Sequence, residues 1–208
     1  MIRVLPAGPF AVLAEVADVA EAQALYAALR ARPDAGRLEL VPAARTVLIA
    51  AHPTAAGRAG LDDVVASLDG LTPADRATDA GPPLEVPVRY DGADLAGTAD
   101  LLGITTDDLV RDHADAEYRV AFCGFAPGFG YLTGLPPRLH VPRLPDPRTR
   151  VPAGSVGLAG EFCGVYPRES PGGWRLLGRT DVVLFDPARD PAALLAPGTR
   201  VRFTPVDR

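Results

Sequence analysis

Lysine is absent from all 208 residues, so each of the 21 basic side chains other than histidine is an arginine. That absence removes whole chemistries, because a P-loop sets a lysine on nucleotide phosphates, a pyridoxal-phosphate enzyme needs a lysine for its Schiff base, and a biotin carrier needs one to modify. Cysteine is nearly as scarce. Cys123 and Cys163 lack CxxC spacing and have no histidines in finger arrangement, so the expectation is two free thiols and no metal site. No apolar run approaches the length needed to span a bilayer, and no basic stripe tracks a phosphate backbone, so neither membrane nor nucleic acid is an expected partner. The N-terminal stretch lacks a basic segment followed by an apolar one and a small-residue cleavage site, which makes cytoplasmic the expected location. An apolar fraction of 48% with a net charge of −5 is that of a soluble globular protein.

What the chain has in quantity is glycine and proline, 21 and 22 residues, and they concentrate between Phe122 and Thr180. The stretch reads FCGFAPGFGYLTGLP, then PRTRVPAGSVG, then GVYPRESPGGWRLLGRT. Proline removes a donor and fixes φ while glycine favours turns, so this region is expected to be loops framing strands. Phe125, Phe129, Tyr131, Tyr166 and Trp174 give it enough apolar surface to be ordered, and long ordered loops are usually functional.

Periodicity organises the remainder. Phe10 to Val16 alternates as a half-buried strand, and Asp18 caps a helix whose Val19, Ala22, Leu25, Tyr26 and Leu29 share one face. Leu38 to Val41 and Thr46 to Ala51 favour strands, and Leu61, Val64, Val65 and Leu68 mark a second helix. This β-α-β-β-α order predicts an α+β N-terminal domain over residues 1–80 of split βαβ type. Asp69 to Pro83 reads as a linker. Beyond it, Leu84 to Tyr90 predicts a strand, Asp94 to Leu102 a short helix closed by Gly103, and Thr105 with Asp108 a capping box opening a helix to about His113. Tyr118 to Phe125, Ser155 to Leu158, Gly164 to Tyr166, Trp174 to Gly178, Val182 to Phe185 and Thr199 to Thr204 are short strands separated by turns. Residues 84–208 are therefore expected to form a closed or nearly closed β-barrel.

The loops of that barrel carry the candidate chemistry. Arg148 and Arg150 flank Thr149 and Arg179 precedes Thr180, so guanidinium forks and hydroxyls can converge on a carboxylate or a phosphorylated group. The same arginines can instead hold loop carbonyls or pair with Glu169 and Asp181. Trp174 is either a ligand platform or core. His113, between Asp112 and Asp115, is either a proton carrier or a satisfied helix-end histidine. Ser155 and Ser170 lack the strand-turn-helix elbow of a hydrolase nucleophile and suit hydrogen bonding to a ligand.

Several ordered blocks carry a resemblance. Glu117-Tyr118-Arg119-Val120 leads into Gly124-Phe125-x-Pro127-Gly128-Phe129-x-Tyr131-Leu132-x-Gly134-Leu135-Pro136. Thr149-Arg150-Val151-Pro152-Ala153-Gly154-Ser155-Val156 follows, then Gly164-Val165-Tyr166-Pro167-x-Glu169-Ser170-Pro171-Gly172-Gly173-Trp174, ending in Leu177-Gly178-Arg179-Thr180. Together they resemble the family of the 5-oxoprolinase B subunit, which also includes allophanate hydrolase subunit 1 and a related sporulation kinase inhibitor. The resemblance implies an N-terminal α+β domain joined to a cyclophilin-like β-barrel. It also implies an ATP-dependent opening of 5-oxoproline to glutamate in complex with the A and C subunits, with ATP handled mainly by the A subunit. Two other activities within the resemblance are inhibition of a sensor histidine kinase and hydrolysis of a urea-derived amide such as allophanate. By position it implies His113, Arg150, Ser155 and Arg179 as catalytic residues. Phe125, Phe129, Tyr131, Tyr166, Ser170 and Trp174 would be the substrate contacts. The chain departs from the family pattern at Glu161-Phe162-Cys163, where Gly-Gln-Thr is common, and at Gly130, where proline is frequent. Such a change would remove hydrogen-bonding groups from a pocket wall.

Overall fold

In the computed structural model, which describes residues 2–70 and 81–206, the chain divides into two compact units, Met1–Asp79 and Ala80–Arg208. The first begins with β1 (Arg3–Pro6), β2 (Ala11–Glu15) and α1 (Val19–Arg30) and continues with β3 (Leu38–Pro42), β4 (Thr46–Ala51) and α2 (Ala55–Ser67). Asp18 starts α1 by accepting a bond from the Glu21 amide at 2.9 Å, while the Glu21 carboxylate accepts one from the Ala17 amide at 3.1 Å. This is a near-reciprocal cap of the kind the sequence signals. Ala22, Leu25 and Leu29 of α1 and Leu61 and Val64 of α2 form one core with Ala14, Val47 and Ile49 of the sheet. The sheet order is β1-β2-β4-β3 with every neighbouring pair antiparallel. β2 and β3 therefore run parallel with β4 between them, joined through α1, which is a split βαβ arrangement. Two features differ from the sequence reading. α2 starts upstream of the apolar periodicity because the Thr54 hydroxyl caps it at the Gly57 amide, 3.0 Å away. β1 is an edge strand too short to show a period. Of the expected linker, residues 71–80 lie outside the described residues, and Leu68–Gly70 forms a 3₁₀ turn directly after α2.

The second unit contains β5 (Leu84–Val88), α3 (Leu95–Leu102), α4 (Thr106–Ala114), β6 (Tyr118–Cys123), β7 (Gly130–Thr133) and β8 (Arg148–Val151). It continues with β9 (Ser155–Ala159), β10 (Phe162–Val165), β11 (Ser170–Gly172), β12 (Arg175–Arg179) and β13 (Arg200–Pro205). Seven strands form a sheet in the order β12-β9-β10-β7-β6-β13-β5, and β8 pairs with β11 in a separate ribbon. The two edges of the seven-stranded sheet meet. Arg89, just past β5, exchanges both backbone hydrogen bonds with Arg179 at 2.9 Å. The seam continues where the Gly92 amide donates to the Leu177 carbonyl and the Asp94 amide to the Leu176 carbonyl, each at 3.0 Å. The sheet is thus a nearly closed barrel. Its interior holds Val86, Val88, Tyr118, Leu132, Leu158, Val165, Leu177 and Phe203. α3 packs on β12 and α4 on β13.

Val182 to Phe185, expected as a strand, is not one; it makes a single bridge from Phe185 to Ala193. The Arg189 guanidinium sits on this segment, donating to the carbonyls of Val183, Leu184 and Ala192 at 3.2, 3.3 and 3.0 Å, while the last two also accept from the amides of Leu194 and Asp186 at 2.9 Å. β7, β8 and β11 lie within the Gly/Pro-rich blocks, where turns mask alternation.

The seam depends on the absence of side chains at two positions. A Cβ on Gly178 would run into the Arg89 carbonyl, and one on Gly92 into the Leu176 carbonyl. Gly178→Ala is therefore expected to destabilise the protein by about 1–3 kcal/mol. Gly97→Ala, within α3 and facing open space, should be neutral or stabilising by up to about 1 kcal/mol. Urea unfolding of the two variants checks this, and equal midpoints would show that the seam accommodates a methyl group.

Candidate functional site

A cleft of about 590 Å³ lies along the seam, with Arg148, Arg150, Ser155, Arg179 and Thr180 among its walls. β8 delivers the first two arginines, the turn at Pro152 and Ala153 leads into β9 and Ser155, and the end of β12 delivers Arg179. Ser155 is 5% exposed. Its backbone is fixed on both sides, the amide donating to the Pro152 carbonyl at 3.3 Å and the carbonyl accepting from Tyr166 at 2.9 Å. Its hydroxyl has no hydrogen-bond partner among the described residues. The Thr180 hydroxyl accepts from the Val182 amide at 3.3 Å, which leaves its proton free to donate.

The cleft arginines are each held by one carboxylate. Arg150 Nε lies 2.7 Å from Glu169, Arg179 Nη2 lies 2.8 Å from Asp91, and Asp181 is taken by Arg89 at 2.9 Å. The Glu169 pairing is one the sequence offers as an alternative; Asp181 serves Arg89 rather than Arg179. Arg150 and Arg179 are 75% and 60% exposed. Each guanidinium has five N–H donors, so one carboxylate leaves most of them facing solvent. The site can therefore present hydroxyls and spare cationic donors to a small anionic or carbonyl-bearing molecule.

Three of the four residues expected to be catalytic, Arg150, Ser155 and Arg179, meet in this cleft. His113 does not. It is fully buried in the barrel core, with Nδ1 2.8 Å from the Tyr90 hydroxyl and Nε2 3.3 Å from Cys163 Sγ, and its ring packs on Tyr118 and Phe203. Burial lowers its pKa to about 3, so it is neutral at physiological pH. The Cys163 thiol is pushed up by the same burial and stays protonated.

The six expected substrate contacts also lie elsewhere. Phe129, Tyr166 and Trp174 are 1%, 2% and 5% exposed and pack edge-to-face in a second core with Val151 and Leu176. Tyr131 stacks on Phe122 with centroids 4.3 Å apart. Ser170 is buried, its hydroxyl donating to the Arg168 carbonyl at 3.2 Å. Phe125 is exposed with φ +66° and meets Phe129 edge-on. None of the six lines the cleft. The glycine-rich loops fold inward onto their own aromatics, because these rings bury more apolar surface than anything else available. The departure at Glu161-Phe162-Cys163 likewise misses the cleft wall. Phe162 packs edge-on to Phe122 and Tyr131, and Cys163 lies beside His113.

Sequence reasoning missed Asp91, and it gave Asp94 only as the start of a helix; Thr180 it named beside Arg179. One signal existed: Arg89-Tyr90-Asp91 and Arg179-Thr180-Asp181 share an Arg-x-Asp pattern, although Arg89 and Asp181 are 92 residues apart. A larger cleft of about 790 Å³ lies beside α4 and β13. Its Arg111 pairs with Asp108 and its Arg202 with Glu85 and Glu117. The smaller cleft is the better candidate because there a hydroxyl that makes no hydrogen bond among the described residues, that of Ser155, lies with two largely exposed arginines that have donors to spare. Among the described residues, no group of three or more His, Cys, Asp or Glu could hold a metal ion, and no helix is long and apolar enough to cross a membrane.

The model of the carboxyltransferase domain, subdomains C and D, matches residues 2–195. A protein of Escherichia coli O157:H7 named as the B subunit of 5-oxoprolinase is 53% identical over 125 residues, covering 59% of this chain and 57% of that one. One of the same name from Bacillus subtilis (strain 168) is 43% identical over 123 residues, covering 58% and 51%. These matches thus span little more than half of those relatives. The crystal structure of TTHA0988 in space group P212121 has a TM-score of 0.75 and 38% identity, covering 100% of this chain and 41% of that one.

The buried histidine makes stability depend on pH. The folded-state pKa is about 3 against an ordinary 6.5, so the unfolded chain takes up the proton first as pH falls. Stability that is complete above about pH 6.5 is then lost progressively towards pH 3. Between pH 7 and pH 5 this one group should remove about 2 kcal/mol of unfolding free energy. His113→Gln should lack that part of the slope in urea titrations at the two pH values. Parallel slopes in variant and parent would assign the acid sensitivity to other groups.

Proposed function

Because the chain belongs to the family of the carboxyltransferase domain, subdomains C and D, we propose that it is the B subunit of an ATP-dependent 5-oxoprolinase. In this reading it acts with the A and C subunits to convert 5-oxo-L-proline and water to L-glutamate while ATP is cleaved to ADP and phosphate. Two relatives are named as the B subunit of 5-oxoprolinase, at 53% and 43% identity over part of their length. The observation that carries the reading is the seam cleft, where the unpartnered hydroxyl of Ser155 lies with the spare donors of Arg150 and Arg179.

A lactam is a stable amide, and water opens it readily only when its oxygen is activated, which phosphoryl transfer from ATP supplies. The chain has no lysine and no G-x-x-x-x-G-K run, so its residues do not fit a phosphate cradle of the P-loop kind. ATP is accordingly assigned mainly to the A subunit, and this chain is inactive alone. Its own side chains bind and orient. Arg150 and Arg179 donate to negative oxygens on the activated lactam, where charge-assisted bonds are strongest. Ser155 hydrogen-bonds the ring amide and fixes its attitude in the cleft. With neither a base nor an elbow beside it, Ser155 serves as a hydrogen-bonding group rather than a nucleophile.

The test is 5-oxoproline-dependent release of glutamate and ADP by the purified chain, first alone and then with its A and C partners. Activity is expected only in the full mixture. Arg150→Ala and Arg179→Ala should each lower kcat/KM about 10- to 150-fold, the loss of a charged hydrogen bond of about 1.5–3 kcal/mol. Ser155→Ala should lower it about 2- to 12-fold, equivalent to about 0.5–1.5 kcal/mol. A verified complex with no turnover would overturn the assignment, and full activity in both arginine variants would remove them from the site.

A further inference from the structure

The third arginine of the cleft differs from the other two. Arg148 has a side chain only 29% exposed, against 75% for Arg150 and 60% for Arg179. Its Nη2 donates to Asp94 Oδ1 at 2.6 Å, and its Nη1 is buried without a hydrogen-bond partner. Asp94 is itself 12% exposed, and its second carboxylate oxygen accepts from the Leu176 amide at 2.7 Å. The backbone of Asp94 is pinned to the same strand, its amide donating to the Leu176 carbonyl at 3.0 Å. Asp94 occupies the position that caps α3, yet its carboxylate makes no cap bond. It is committed instead to the strand and to Arg148. An aspartate before a helix normally satisfies the free amides of the first turn. Here that role is given up to hold one guanidinium rigid in a cleft wall.

A guanidinium held on one side by Asp94 and still 29% exposed in the cleft wall is a fixed, partly desolvated fork whose remaining N–H groups suit a planar anion. We infer that Arg148, positioned by Asp94, is the specificity residue that reads the carboxylate of the lactam substrate. It makes the cleft select an acidic lactam over a neutral one of the same ring size. This rests on the 5-oxoprolinase reading above and assigns the ring carboxylate to Arg148, leaving Arg150 and Arg179 for the reacting end. Asp94 acts through Arg148 and is a positioning residue.

The test compares 5-oxo-L-proline with 2-pyrrolidinone, the same ring without the carboxylate, by calorimetric titration of the assembled complex without ATP. Arg148→Gln should weaken 5-oxoproline binding at least about 20-fold, leave 2-pyrrolidinone binding within about twofold of the parent, and raise KM while changing kcat less than about threefold. Arg148→Lys, which keeps the charge but loses the planar fork, should recover part of the loss. Asp94→Asn should shift 5-oxoproline binding in the same direction by a smaller factor. Unchanged 5-oxoproline affinity in Arg148→Gln, an equal loss for both ligands, or no binding of 5-oxoproline by the parent would overturn the inference. Where Arg148→Gln fails to fold, Arg148→Lys decides, and parental affinity for 5-oxoproline in that variant counts against it. Turnover by the parent complex separates the two levels: turnover with normal 5-oxoproline binding in the Arg148 variants refutes this assignment alone, whereas a verified complex without turnover refutes the function itself.

Discussion

The backbone pair between Arg89 and Arg179 closes the sheet, and what the second unit does follows from that closure. Two like charges directly opposite on antiparallel strands repel. Here each guanidinium is offset by the acid two residues beyond the other, Arg89 with Asp181 and Arg179 with Asp91. The diagonal exchange turns an unfavourable pair into a reciprocal one. These groups are partly or largely exposed, so the ion pairs add little stability and matter for register. The main gain is the burial of Val88, Leu177 and Phe203 inside a sheet whose two edges are joined.

The closure also makes the cleft. Arg148 and Arg150 reach it from β8, Ser155 from β9 and Arg179 from the end of β12, while Asp91 and Gly92 come from the segment that follows β5 through the seam. A site assembled on three strands is held more rigidly than one on loops alone, which suits side chains that must orient a small ring. Residues without side chains at Gly92 and Gly178 are what let the two backbones approach closely enough for this to happen.

The barrel core carries a polar chain of Tyr90, His113 and Cys163 where apolar packing would be expected. Each member has a partner, so the burial of polar atoms is compensated by hydrogen bonding. The cost is confined to charge: neither the imidazolium nor the thiolate is tolerated there. His113 therefore belongs to the physics of the core, and its neutral state follows from burial alone.

Local signals are strong in this sequence. Asp18, Thr105 and Gly103 mark helix boundaries through backbone hydrogen bonding that depends only on near neighbours, and apolar spacing marks α1 and α2 because a helix face is a local repeat. The ordered Gly/Pro blocks likewise mark the region of Arg150, Ser155 and Arg179. The helices, most strands, the barrel class and the chemistries that a chain without lysine excludes are therefore legible from the residues alone. Folding in three dimensions adds that His113 and three of the aromatics are core, that Val182 to Phe185 makes a single bridge in place of a strand, and that Asp91 and Arg148 meet at one cleft with Asp94 holding Arg148 from behind it. The physical reason is that burial and strand pairing are set by residues far apart in the chain, whereas caps, turns and periodicity are set within a few residues of one another.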